Sequence, residues 1–152
     1  MKLAEALVVR ADVQKRTNQM QSRLRQSALV QEGEQPPEDP QALLTQLAEL
    51  LAQLVRLIQQ INRTNIGTAM TDGVSLTDAL ARRDVLDQEI SIVDTLADTA
   101  ANRIERYGRS EIRKMATVDV AALRRRISEL AQARRELDTA IQSTNWTTDL
   151  VE

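Results

Sequence analysis

The chain contains no cysteine, no histidine and no phenylalanine, with one tyrosine and one tryptophan in 152 residues. Each absence excludes chemistry. Without Cys there are no disulfides, no zinc–thiolate sites and no thiol nucleophile. Without His the commonest general base and transition-metal ligand are missing, and so is every Ser-His-Asp arrangement. Catalysis would fall to carboxylates, Lys, Arg or Tyr, helped by a hard cation such as Mg²⁺. Four Gly and three Pro give few turns for an all-β fold. No run of roughly 18 apolar residues is present, so no membrane span is expected. Charge at Glu5, Arg10 and Asp12 interrupts the N-terminal apolar stretch, so the expected location is cytoplasmic.

What remains is rich in Ala, Leu, Glu, Gln and Arg, a helix-forming set with an aliphatic core. The length suits a single helical domain over 1–152. All-α is the expected class. A formal net charge of −2 gives no global attraction to nucleic acid. The basic stretches lack interleaved aromatics, and specific nucleic-acid binding is not expected.

Periodicity places four helices. The first covers about 2–29, with Leu3, Ala6, Val13, Met20 and Leu24 on one stripe. The acidic, Pro-rich loop 31–40 follows, and its Asp39-Pro40 pair suits an N-cap and first helical position. Helix two, about 40–62, keeps a heptad seam of Leu44, Leu47, Leu51, Leu54, Ile58 and Ile61. Leu43, Leu50 and Leu57 flank that seam, so the stripe is wider than one partner helix needs. Helix three covers about 76–107, with Leu86, Ile90, Val93, Ala97, Ala100 and Ile104 inward. Helix four covers about 119–143 along Leu123, Ile127, Leu130, Leu137 and Ile141, with Arg134 on the seam needing a partner or water. Helices of 25 to 30 residues span about 37–45 Å. Two such antiparallel hairpins with a wide apolar stripe predict a homo-oligomer, a dimer or higher, with a hexamer within range.

Three polar clusters are candidates for function. "INRTN" ends the apolar seam of helix two: Asn62, Arg63 and Asn65 read either as a helix stop or as an anion-binding pocket at a polar bundle end. "YGRSEIRK" offers Tyr107, Arg109 and Glu111, either as a charged loop or as a phosphate or carboxylate site. Asp84, Asp87, Asp94 and Asp98 lie along one side of helix three. Paired helical carboxylates can hold Mg²⁺ for phosphohydrolysis, whereas the neighbouring Arg82 and Arg83 favour a salt-bridged, solvated face. Helix two also permits a membrane-active, pore-forming reading, though its Gln-rich polar face suits a buried helix better.

In order along the chain, "MKLAEALVVRADVQKR", "VQEGEQPPEDP", "INRTN", "LTDALARRDVL", "RYGRSEI", "TVDVAALRRRISELA" and "LDTAIQSTNWTTDL" resemble an uncharacterised bacterial all-helical family. Some of its members are labelled septicolysin. The resemblance implies an oligomeric helical protein and no catalytic residues. The label would imply a thiol-activated pore former, and this chain has no thiol.

The last expectation concerns Trp146, in "STNWTTDLVE". Thr144, Thr147 and Thr148 favour extended backbone, so residues 144–152 are expected to leave helix four as a clasp anchored by the indole. The function these features predict is a structural or scaffolding homo-oligomer, with a small-anion site that includes Asn62, Arg63, Asn65, Tyr107, Arg109, Glu111 and Trp146.

Overall fold

A computed structural model describes residues 1–102 and 114–152. Four helices account for its regular structure: α1 (Leu3–Ser27), α2 (Pro40–Gly67), α3 (Leu76–Ala101) and α4 (Val120–Thr147). The class is all-α. Two isolated bridges, Lys2 with Asp149 and Ala69 with Ser75, are the strand-like pairings among the described residues. The chain divides into two compact units, one of Met1–Ser75 with Gln142–Glu152 and one of Leu76–Ile141.

In the first unit α1 and α2 pack through Val13 and Met20 against Leu43, Leu50, Leu54 and Leu57, with Val9, Leu24 and Leu47 at the margin. The stripe read from α1 is the one used. Glu5 accepts from the Lys2 backbone N–H at 2.7 Å and starts the helix. Asp39 caps α2 by accepting from the Gln41 N–H at 3.0 Å, and Pro40 occupies the first turn. In the connecting loop Glu38 takes a two-pronged ion pair from Arg23, whose Nε lies 2.9 Å from Oε2. This pair raises the Arg23 pKa and lowers that of Glu38, hydrogen bonding being the main cause in each.

On α2 the heptad seam splits between the core and the surface. The flanking row, Leu43, Leu50 and Leu57, is buried together with Leu54 and Ile61, while Leu44, Leu51 and Ile58 of the heptad seam stay exposed. Nor does α2 stop at Asn62. It continues through "INRTN" to Gly67, because Thr64 falls on the buried row and its hydroxyl donates to the Gln60 carbonyl at 2.8 Å. The helix-ending tendency of Asn is worth only tenths of a kcal/mol, and burial of one face outweighs it. After the helix, Asp72 accepts from the Val74 N–H at 3.1 Å and Gly73 adopts φ +81, a left-handed turn that suits glycine.

The C-terminal segment of this unit also differs from expectation. The helix persists to Thr147, and the non-helical tail is 148–152. Thr147 stays helical because its hydroxyl donates back to the Ser143 carbonyl at 3.1 Å, offsetting its extended preference. Trp146 is 60% exposed, so its ring is not docked as the expected anchor. The tail is held by its main chain instead. Leu3 N–H donates to Thr148 O at 3.0 Å, and Leu150 N–H donates to Met1 O at 2.9 Å. Val151 N–H donates to Thr64 Oγ1 at 3.0 Å. Lys2 Nζ reaches both the Thr147 carbonyl at 3.0 Å and Asp149 Oδ1 at 2.8 Å, placing a cation at a helix C-terminus.

The second unit is built differently. Asp119 caps α4 by accepting from the Ala122 N–H at 3.0 Å. Across to α3, Arg83 pairs with Asp138 at 3.7 Å, Asp87 with Arg134 at 2.9 Å, Glu89 with Arg126 at 2.5 Å and Asp94 with Arg124 at 2.7 Å. Asp98 shares Arg124. Residue numbers rise on one helix as they fall on the other, so the helices run antiparallel. Val93 and Ala97 are buried on the expected inner row of α3. The proposed extension of this helix to Tyr107 enters residues 103–113, which lie outside the described part.

Candidate functional site

Helix α2 presents three different faces, because 100° per residue separates its side chains into distinct rows. One row is buried against α1. A second row, Leu44, Ala48, Leu51, Val55 and Ile58, alternates fours and threes, and its large members remain 39% to 53% exposed. Asn62 and the exposed Ile66 continue it. On a helix this spacing is the a/d pattern of a coiled-coil seam. The third face is polar: Gln46, Glu49, Gln53 and Arg56, spaced by threes and fours, sit roughly opposite the exposed apolar row.

Two clefts flank the α1–α2 contact. One, of about 360 Å³, has Met20 and Leu50 as apolar lining and Arg16, Gln19, Arg23, Gln46, Glu49, Gln53 and Arg56 as polar walls. Arg23 is fixed there by Glu38, and its Nη1 also lies 3.3 Å from Met20 Sδ. The other, of about 940 Å³, sets Arg10, Gln14, Lys15 and Asn18 of α1 beside Leu54 and Ile58 of α2. Sequence reasoning missed both. The signal was present in Arg16 and Arg23, seven residues apart, and in the Gln-rich face of α2.

The residues singled out from sequence fare unequally. Asn62 lies at the end of the exposed apolar row, Arg63 is exposed and Asn65 is half-buried. The member of "INRTN" that the fold uses is Thr64, which donates to Gln60 and accepts from the C-terminal tail. Its place on the buried row was the available clue. Tyr107, Arg109 and Glu111 lie outside the described residues. Trp146 stands exposed in the last turn of α4.

The helix-three aspartates face arginines. Asp87 bonds Arg134, Asp94 and Asp98 bond Arg124, and Asp84 bonds Arg83 at 3.0 Å. Hydrogen bonding to Asp98 raises the Arg124 pKa, and bonding to Asp87 raises that of Arg134. Among the described residues no three acidic side chains converge to hold a metal ion. These contacts form a salt-bridged face between α3 and α4. Among the described residues no helix is long and apolar enough to cross a membrane.

Comparison with solved structures finds a crystal structure of a functionally unknown conserved protein from Corynebacterium diphtheriae. The two are 42% identical, the match covers 99% of each chain, and the TM-score is 0.94. Comparison with curated proteins finds no match. A family model, described as a family of unknown function, matches residues 10–150. Neither description carries the septicolysin label, so the resemblance holds for an uncharacterised helical family and not for the toxin name. With most of its length matched, the chain belongs to the family of unknown function DUF6847.

Proposed function

We propose that the protein is a structural, scaffolding homo-oligomer that assembles through the exposed row of α2. The supporting observation is the row itself: Leu44, Leu51, Val55 and Ile58 at coiled-coil spacing, exposed after α1 has packed on the neighbouring row. The chosen occupant is a second copy, because the row complements itself. In a two-fold antiparallel pair Leu51 meets Val55 of the partner subunit, and Ala48 meets Ile58 of the partner subunit, small against large. The immediate flanks, Thr45, Ala52 and Gln59, carry no charge that would oppose such a pairing.

Magnitudes set the expected strength. Burying the exposed remainder of four aliphatic side chains contributes about 1 kcal/mol each, or about 8 kcal/mol for both copies. Association costs roughly 4–15 kcal/mol of lost freedom, so these four side chains alone leave at most about 4 kcal/mol, a millimolar pair, and a tighter complex draws on the flanks of the row as well. The test is sedimentation across a concentration series of the wild type and a Leu51→Glu, Val55→Glu variant. Wild-type self-association that the variant loses while staying helical supports the reading. A wild type that stays monomeric up to millimolar concentration sinks it.

A further inference from the structure

We infer that the smaller α1–α2 cleft is a binding site for a small oxyanion: a compact phosphate- or carboxylate-bearing molecule with a polar body. Arg16 on α1 and Arg56 on α2 line the same cleft of about 360 Å³ from facing helices. Among the described residues neither guanidinium has a carboxylate partner, whereas Arg23, at the same cleft, is held by Glu38. Three arginines against Glu49 and the Glu38 already bound to Arg23 leave the cleft with an excess positive charge.

The residue types define the ligand. Guanidinium forks match the planar, paired oxygens of carboxylate and phosphate, and a charge-assisted bond of this kind is about twice as strong as a neutral one. Gln19, Gln46 and Gln53 each offer an N–H₂ donor and a carbonyl acceptor, which suits hydroxyl or amide groups on the ligand body. Met20 and Leu50 floor the cleft but are buried in the core, which leaves little apolar area for a ligand and favours a polar body. The volume lies near the lower end for small-molecule sites, roughly 300–1,000 Å³, which favours a metabolite-sized anion over a polymer.

The site is independent of the assembly surface. Gln46, Glu49, Gln53 and Arg56 lie about half a turn of α2 away from Leu44, Leu51, Val55 and Ile58. Loss of one property therefore leaves the other intact, and the two readings fail separately.

The experiment is an amide NMR titration at constant ionic strength with inorganic phosphate, with citrate, and with acetate as a simple monocarboxylate. The expected result is saturable shifts for phosphate or citrate confined to residues 16–23 and 46–56, weakened at least about ten-fold in an Arg16→Gln, Arg56→Gln variant. Arg135→Gln, an exposed substitution on α4, should leave the titration unchanged. Whichever of phosphate and citrate binds more tightly identifies the oxyanion class. Three outcomes overturn the proposal: acetate shifting the same amides equally, no saturation with either polyanion, or full binding by the double variant. Both substituted side chains are exposed, so the variant keeps its fold, and its unchanged melting curve is the control.

Discussion

The two hairpins are stabilised by different physics. Between α1 and α2 the contact is an aliphatic row, with Val13 and Met20 set against Leu43, Leu50, Leu54 and Leu57. Between α3 and α4 arginines and carboxylates cross from helix to helix at four levels; Val93, Ala97 and Ile141 are buried, while Leu86, Ile90, Leu123, Ile127, Leu130 and Leu137 are only half-buried. The difference is instructive because of what each leaves over. The second hairpin spends its functional-looking aspartates on its own arginines. The first satisfies its core with one row of α2 and leaves an apolar row and a polar cleft lined by Arg16 and Arg56, which have no carboxylate partner among the described residues.

The sharpest way to break this comparison is to damage the aliphatic contact. Leu43 is 1% exposed, and Leu43→Ala should cost about 2–4 kcal/mol in denaturant-induced unfolding. A loss below about 1 kcal/mol would mean that α1 and α2 are held by something other than this core.

A smaller effect is expected from salt. Raising it from about 0.05 M to about 1 M shortens the screening length to roughly 3 Å. Amide exchange should then quicken in α3 and α4 while α1 and α2 keep their protection. Arg134→Gln should remove part of that salt sensitivity, since Arg134 is the cation that meets Asp87 and Asp138. Equal salt sensitivity in both hairpins would erase the distinction.

The smallest effect separates the terminal staple from both hairpins. Lys2, by hydrogen bonding first and by charge second, holds the Asp149 carboxyl below its ordinary range. A carboxyl whose pKa is depressed on folding stabilises the fold above its ordinary pKa and loses that contribution as pH falls through the folded value. Acidification below the ordinary carboxylate range should therefore lower the protection factors of Leu3 and Leu150, measured against the intrinsic exchange rate at each pH, and Lys2→Gln should flatten that dependence. Protection at these two amides that ignores both pH and the substitution would leave the staple entirely to its backbone bonds.

Much of the fold was legible in the sequence. Periodicity located all four helices, the Asp39-Pro40 start of α2 was correct, and Arg134 on an apolar seam announced its need for a partner, found in Asp87. What could not be read is which of two equally apolar rows of α2 faces α1. That choice depends on the placement of α1's side chains, not on α2. Trp146 misled because size suggests burial, while the energy holding the tail comes from backbone groups invisible in composition. Of the seven ligand-site residues read from sequence, Tyr107, Arg109 and Glu111 lie outside the described residues, and Asn62 now marks the end of an apolar row.

The hydrogen bonds from Leu150 to Met1 and from Leu3 to Thr148 bring residues 1–3 and 148–150 side by side. A short flexible linker can join residue 152 to residue 1, and new ends can be opened in the exposed Pro-rich segment between α1 and α2. Such a permuted chain would retain every helix while moving its start and finish to the opposite end of the first hairpin.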